Sequence, residues 1–187
     1  KPFRDTTILM IIETERLDLR PWKESDREPF YQMCSDPEVM EFFPKTLNRE
    51  ESDAFVDKAM AAMDEQGWGL FAVEIRDTEE FIGFIGLNKP QFDAPFTPCV
   101  EIGWRLDKKY WKKGFATEGA QALLQFAFIK VDTDEIVSFT SKLNKPSIKV
   151  MEKIGMTRDE AGDFDHPMVE EGSPLRRHVL YRYKKGK

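Results

Sequence analysis

The chain has 187 residues, of which 41% are hydrophobic and 33% charged, and its formal net charge is −6. This size and composition predict one globular domain with its own core. The acidic balance argues against general nucleic-acid binding, and no apolar run approaches the ~20 residues that a membrane span needs.

Two features of the chain bear on its cellular compartment. Cys34 and Cys99 are few and far apart, which argues against a disulfide framework and against a zinc site. The first residues lack a signal-peptide pattern, so a cytoplasmic protein is predicted. Because numbering opens on Lys1 and Met10 is a candidate start, we expect residues 1–10 to be a poorly ordered or added extension and residues 11–187 to form the domain.

The first half of the chain contains five predicted elements. In order they are a strand over 11–20, a helix capped by Ser25 and Asp26, a long helix from Asn48 to Gln66, and two strands over 70–75 and 81–87 that form a hairpin.

The second half continues with a strand over 100–106, a turn containing Gly114, and a helix over 115–128. A strand over 135–140, a helix over 146–154, a short strand over 156–160, a polar loop over 163–174 and a last strand over 175–184 follow. The order β-α-α-β-β-β-α-β-α-β-β predicts a single α+β domain with a mixed sheet.

The turn around Gly114 is the strongest local signal. A strand that delivers a glycine turn to the start of a helix aims free N–H groups and the positive end of the helix dipole at one point, which suits a phosphate. Alone, such a turn is more often an ordinary strand–helix connection. It is neither a Walker loop nor a dinucleotide fingerprint, since Gly114 stands without the other glycines and without Gly-Lys-Ser/Thr.

Basic residues concentrate in two windows. Residues 105–113 hold five basic side chains and one acid, and residues 142–153 hold four lysines and one acid, while the remaining residues sum to −13. Either these lysines form a solvated face, or they serve a multiply charged anionic ligand, which we favour because they are concentrated.

Three segments, in this order and at this separation, carry a resemblance to a known family. They are Thr14-Glu15-Arg16-Leu17-Asp18-Leu19-Arg20; Glu101-Ile102-Gly103-Trp104 with Tyr110-Trp111-Lys112-Lys113-Gly114-Phe115-Ala116-Thr117-Glu118; and Asn144-Lys145-Pro146-Ser147 leading to Met151-Glu152-Lys153-Ile154-Gly155-Met156. The chain resembles the GNAT N-acetyltransferases, in the branch that includes the bacterial ribosomal-protein N-terminal acetyltransferases. Trp111 stands where the wider superfamily has Gln or Arg, which matches this branch.

The resemblance implies a mostly antiparallel sheet flanked by helices and splayed between its two central strands. It implies acetyl-CoA as the donor and no metal. The pyrophosphate would bind the main-chain N–H groups of Lys112, Lys113, Gly114, Phe115, Ala116 and Thr117. The pantetheine arm would follow the strand edge from Trp104 to Leu106, Asn144 would hydrogen-bond the cofactor, and Ser147 would lie near its sulfur.

The reaction so implied is attack of a neutral amine on a thioester, which needs a base. Glu101 is the first candidate, as base or as a relay through water; the alternative is a solvated or paired carboxylate. His166 and His178 are further candidates, although a structural role is favoured for each. Many relatives carry a tyrosine acid where Met151 stands, so Ser147 takes that role or the thiolate leaves unaided. Ser147 has a second interpretation, as a hydroxyl that satisfies a free N–H in the first helical turn.

The sequence therefore predicts an acetyl-CoA-dependent N-acetyltransferase acting on a small-molecule or peptide amine, as a monomer or homodimer. The acidic body favours a cationic acceptor. Phe42, Phe43 and Trp68 line either an acceptor pocket or, as we favour, the core. Two alternatives are a non-catalytic module that senses CoA or a nucleotide, and an interaction protein with no small-molecule site.

Overall fold

The computed structural model describes residues 10–186, so all of the predicted extension at residues 1–10 except Met10 lies outside the described residues. The strands are β1 (Ile12–Glu13), β2 (Leu17–Arg20), β3 (Leu70–Ile75), β4 (Phe81–Asn88), β5 (Glu101–Leu106), β6 (Glu135–Ser141), β7 (Thr157–Arg158), β8 (Phe164–Asp165) and β9 (Arg177–Lys184). The α-helices are α1 (Arg27–Cys34), α2 (Arg49–Gln66), α3 (Phe115–Lys130) and α4 (Lys145–Lys153).

One sheet organises the chain. Its strand order is β1-β2-β3-β4-β5-β6-β9-β7, with β8 paired to β9. Every pairing is antiparallel except that of β5 with β6. The predicted fold class, a mixed and mostly antiparallel sheet flanked by helices, is confirmed.

The two central strands separate soon after they meet. Glu101 and Val137 form the one register pair between β5 and β6 in the described chain. Val137 N donates to Val100 O at 2.9 Å, and Ser138 Oγ donates to Ile102 O at 2.8 Å. Beyond Ile102 the edge of β5 that faces β6 has no ladder partner among residues 10–186, so the predicted splay is present.

Helices cover both faces of the sheet, because side chains along a strand alternate between faces. Phe71 and Val73 of β3 belong to the main apolar cluster, which also contains the buried residues of α3. Ala72, between them, belongs to a second cluster formed with α1 and α2. The helices α3 and α2 therefore pack on opposite faces of the sheet.

A third apolar cluster lies on the α2 face, under β6 and β9. Val137 and Leu180 belong to it, whereas their neighbours Ile136 and Val179 belong to the main cluster on the other face. The second and third apolar clusters thus cover two separate regions of the α2 face of the sheet, and β5 lies between these regions.

Some boundaries differ from the sequence-based expectation. The first predicted strand is a hairpin instead, because Thr14 N donates to Leu17 O at 2.8 Å and turns the chain between β1 and β2. The predicted polar loop over 163–174 contains β8, since Phe164 is buried in the third cluster. The strand expected over 156–160 is confined to β7, because a 3-10 turn starts at Glu160.

Candidate active site

The turn before α3 presents a row of free amides. Lys112 has φ +60° and Gly114 φ +80°, both left-handed, and Gly114 caps α3 without a side-chain hydrogen bond. Within residues 10–186, none of the N–H groups of 112–117 donates a hydrogen bond; the first amide of this region to do so is Glu118 N, to Gly114 O at 3.0 Å. Free amides beside the positive end of a helix dipole are features that suit an anion.

A long-range contact holds this turn in place. Arg16, in the β1–β2 turn, donates from Nε to Glu118 Oε1 at 2.8 Å and from Nη1 to Lys113 O at 2.9 Å. Thr14 Oγ1 and Arg16 N both donate to Glu118 Oε2, at 2.6 and 2.9 Å. The Arg16 guanidinium also lies 4.3 Å from the centroid of the Phe115 ring. The hydrogen bonds lower the pKa of Glu118, although burial opposes them.

The basic residues near this turn divide into separate groups. Lys112 and Lys113 are exposed and form no ion pair in the described part of the chain. Lys108, however, binds Asp36 at 2.8 Å and Glu38 at 3.4 Å, and Arg105 points to the α2 face. Lys109 Nζ lies 5.3 Å from the centroid of the Tyr110 ring. Of the five basic residues over 105–113, Lys112 and Lys113 are thus the two that lie in the turn with neither an ion pair nor an aromatic contact in the described part of the chain.

The open edge of β5 leads toward this turn. Val100 O and Ile102 O both accept hydrogen bonds from β6, so the main-chain groups of Trp104, two residues further, face the same side. No strand faces them there. The Leu106 carbonyl accepts a hydrogen bond from Trp111 Nε1 at 2.9 Å, which explains a tryptophan at that position.

Glu101 lies at the point where β5 and β6 separate. It is half-buried and is paired in register with Asn88 of β4 as well as with Val137. Burial raises the pKa of its carboxyl group to about 8, although a hydrogen bond from Asn88 favours the charged form. No ion pair of Glu101 exists among the described residues, so it is neither a paired nor a freely solvated carboxylate.

Asn144 and Ser147 have distinct roles at the start of α4. Asn144 is buried; its Oδ1 accepts from Ser147 N at 3.3 Å, and its Nδ2 donates to Thr140 Oγ1 at 3.0 Å. The helix cap is therefore Asn144, and Ser147 Oγ makes no hydrogen bond within residues 10–186. The interpretation of Ser147 as a group that satisfies a free N–H is wrong, and its hydroxyl is available.

The two histidines form a pair inside the third cluster. Their ring centroids are 4.9 Å apart, and both rings contact Phe139 and Phe164. Burial and the charge of His178 lower the pKa of His166 to about 4, and burial lowers the pKa of His178. His178 Nδ1 lies 2.9 Å from Arg176 O, so Nδ1 carries the proton and Nε2 holds a free lone pair. Both rings are neutral at pH 7. His166 Nδ1 accepts from Met168 N at 3.1 Å, so its Nε2 carries the proton, and of the two rings His178 is the one with a free lone pair.

One functional candidate, Arg105, belongs to none of the sequence motifs. It shares a face of β5 with Glu101 and Gly103, and its guanidinium lies 4.2 Å from the centroid of Phe43. Strand alternation was the signal available to find it, since it places Arg105 on the face that carries Glu101.

The comparisons with known proteins agree with this geometry. Residues 16–157 match the acetyltransferase (GNAT) domain, which is more than half of the chain. The protein is a GNAT-family acetyltransferase. An uncharacterised N-acetyltransferase of Bacillus subtilis, YnaD, is 34% identical over 151 residues, covering 80% of this chain and 84% of that protein. A GNAT-family acetyltransferase structure from Bacillus anthracis has a TM-score of 0.78 at 31% identity, covering 95% of this chain and all (100%) of that one.

The ribosomal branch appears among the structural neighbours. RimL, a ribosomal L7/L12 α-N-protein acetyltransferase solved with coenzyme A, has a TM-score of 0.73 at 18% identity, covering 94% of this chain and 98% of that one. At this identity the likeness concerns the fold alone. The resemblance to GNAT acetyltransferases is confirmed.

Other positions of the acetyltransferase bear on its chemistry. Met151 is buried in the main cluster, so it brings no proton donor where many relatives have a tyrosine. Trp68 is also buried in that cluster, as favoured, whereas Phe43 packs on the edge of the second cluster beside Arg105. Among residues 10–186 no three His, Cys, Asp or Glu side chains are grouped to hold a metal, and no helix is long and apolar enough to cross a membrane.

A cavity of about 510 Å³ lies at the amino end of β5, lined by residues of the β4–β5 connection and by Thr133. Cys99 borders this cavity, and burial with the nearby charge of Glu101 raises the pKa of its thiol to about 11. The turn at Gly114 follows the other end of β5, so cavity and turn are separated by the length of the strand.

Proposed function

We propose that this acetyltransferase takes its acetyl group from acetyl-CoA and transfers it directly to a primary amine. The observation that carries the proposal is the row of unpartnered amides at 112–117, placed directly after the open edge of β5. The amides suit the pyrophosphate, the exposed Lys112 and Lys113 add positive charge, and the open edge is long enough for an extended pantetheine arm.

Main-chain groups on this edge support the acyl-transfer step. When a neutral amine attacks the thioester carbon, negative charge develops on the carbonyl oxygen. The N–H of Trp104 faces the gap between β5 and β6 and is free to stabilise that charge. The new N–C bond forms as the C–S bond breaks, and CoA leaves as a thiolate.

Glu101 is the proposed base that takes the proton from the amine, directly or through water. A carboxyl group with a pKa of about 8 is a far stronger base than an ordinary glutamate. His178 Nε2 is the second candidate, since it is neutral and unprotonated at pH 7.

Ser147 is the proposed proton donor to the leaving thiolate, because its hydroxyl has no internal partner and Met151 brings none. A thiolate with a pKa of about 8.5 leaves readily, so this step needs little assistance. Asn144, buried beside Ser147, holds the first turn of α4 and is proposed to bind the donor through its remaining hydrogen-bonding capacity.

Two measurements test the proposal together. Calorimetry with acetyl-CoA should show saturable binding, and thiol release should follow when amines and peptides are added. No binding at millimolar acetyl-CoA would overturn the donor site. Normal binding of acetyl-CoA without thiol release over a wide panel of amines would instead favour a module that senses CoA. The buried Met151 supports this alternative, because it provides no proton donor.

A further inference from the structure

The α2 face of β5 forms an open cleft, which we call the β5 cleft and define by Glu101, Gly103 and Arg105. These residues share one face because strand side chains alternate. A Cβ built on Gly103 has no atom within 4 Å, so there is free space above the middle of the strand. The second and third apolar clusters lie to either side. The strand is therefore accessible from this face between two buried regions.

Arg105 closes one end of the β5 cleft. Its guanidinium lies 4.2 Å from the ring centroid of Phe43 and 5.3 Å from that of Phe84. Nη1 donates to Cys34 Sγ at 3.5 Å, and Nε is shielded from solvent without a partner. Nη2 has no hydrogen-bond partner among residues 10–186 and is not shielded in this way. Arg105 is thus a cation held among aromatic rings, and Nη2 is its accessible nitrogen without a partner.

Most arginines in the described chain are neutralised by carboxylates. Ion pairs form at Arg16, Arg20, Arg27, Arg49, Arg76, Arg158, Arg177 and Arg182. Arg105 forms none, and neither does Arg176 at the entry to β9. A partly buried cation without a counter-charge costs stability, and aromatic contacts offset only part of that cost. The free charge in the β5 cleft calls for an anionic ligand group.

We propose that the acceptor is a small primary amine that carries a carboxylate, with the carboxylate bound by Arg105 and the amine over Gly103, toward Glu101. This rests on the proposed function, and it names the substrate class. The four residue steps from Glu101 to Arg105 span about 13 Å along the strand. A small amino carboxylate therefore fits between these two ends of the β5 cleft. The net negative charge of the protein favours a cationic acceptor. A direct contact with Arg105 outweighs this effect, because salt screens the interaction of the acceptor with distant acidic groups.

The test compares amino acids with their carboxamides in the thiol-release assay. Each pair differs in the carboxylate and also in the pKa of the amine, so kcat/KM is expressed per concentration of neutral amine, and the ratio then reports recognition of the carboxylate. We expect the wild-type protein to prefer the carboxylate about 10- to 100-fold, the value of one charge-assisted hydrogen bond. Arg105→Gln should raise KM for the carboxylate by that factor and leave the carboxamide unchanged, and Arg105→Lys should keep part of the preference.

A matched control is available in Arg49, whose guanidinium also lies 4.2 Å from a ring centroid, that of Tyr31, but which is ion-paired with Glu28. Arg49→Gln should leave kcat/KM unchanged for both the amino acid and its carboxamide. An equal loss for carboxylate and carboxamide in Arg105→Gln would show that Arg105 supports the fold only. A wild-type preference for carboxamides or polyamines would overturn this inference while the proposed function stands.

Failure of the proposed function gives different results. If acetyl-CoA does not bind, both proposals fall. If it binds but no amine releases thiol, catalysis is refuted, and calorimetry of amino acids with the CoA-saturated protein decides this inference. Binding that is lost in Arg105→Gln supports the carboxylate site, and absence of binding overturns it.

Discussion

Arg16 and Glu118 connect the amino-terminal hairpin to the start of α3, with Nε of one 2.8 Å from Oε1 of the other. Arg16 also donates to Lys113 O, within the turn that presents the free amides. The contact therefore joins two segments 102 residues apart in the chain and orients the turn. Because Arg16 is 42% exposed, its contribution lies in positioning more than in overall stability.

We expect Arg16→Met and Glu118→Gln each to weaken CoA binding about tenfold, the effect of one disrupted charge-assisted contact of about 1.4 kcal/mol. The KM for the amine should stay unchanged, because the turn faces the donor. A double-mutant cycle measured by calorimetry should show non-additive losses. Arg158→Met, which removes the ion pair with Asp163, serves as the control; additive losses would show that Arg16 and Glu118 do not act together.

Replacing Gly114 tests the proposed donor site directly. Gly114 (φ +80°, ψ 6°) and Gly67 (φ +78°, ψ 4°) cap their helices with nearly the same backbone, so alanine strains each similarly, by about 1 kcal/mol. At Gly114 the new Cβ lies 3.4 Å from Arg16 Nη2, whereas at Gly67 nothing lies within 4 Å. Gly114→Ala should weaken CoA binding and Gly67→Ala should not, as measured by calorimetry. Equal affinities would count against this turn as the donor site.

Glu101→Gln should lower kcat/KM by about 100- to 10,000-fold if Glu101 is the base. In the wild-type protein the rate should rise with pH through about 8, because the carboxyl group must lose its proton before it accepts one from the amine. Two acceptors whose amino groups differ in pKa distinguish deprotonation of Glu101 from deprotonation of the amine. The limb of the pH–rate profile that is due to Glu101 should stay at about pH 8 for both acceptors. If Glu101→Gln keeps its activity, and a limb below the ordinary histidine value of 6.5 disappears in His178→Asn, His178 is the base.

The same group makes a prediction for stability. In the folded protein the Glu101 carboxyl holds its proton up to about pH 8, against an ordinary value of 4.5 for the pKa. Between these values the folded state binds more protons than the unfolded state, so the contribution of Glu101 to the free energy of unfolding falls as pH rises and is constant above about 8. Glu101→Gln should therefore gain stability over wild type across this window, as measured by urea unfolding at several pH values. A difference that does not change with pH would contradict the raised pKa.

Asn144 and Ser147 should differ in their effect on stability. Asn144→Ala removes the cap of α4 and should cost about 1 kcal/mol in urea unfolding. Ser147→Ala should leave stability unchanged, since its hydroxyl has no internal partner. It should lower kcat by less than the ~100-fold that general acid catalysis usually contributes, because the thiolate leaves readily. An unaltered kcat would mean that the thiolate leaves without this hydroxyl.

Local patterns in the sequence determined the main elements. Asn48 and Gly67 mark the ends of α2 because capping is a property of a few adjacent residues. Likewise the strand, glycine turn and helix around Gly114 were predicted correctly. The family followed from three motifs, each readable without knowledge of contacts.

Only the tertiary structure decided what those residues contact. The pairing of Lys108 with Asp36 and Glu38, and the position of Arg105 among phenylalanines on the other face, removed two of the five basic residues from the predicted cluster over 105–113. The pKa of Glu101, the 4.9 Å approach of His166 and His178, and the free Ser147 hydroxyl depend on segments far apart in the chain. Burial and charge pairing are sums over such distant neighbours, so no local pattern encodes them.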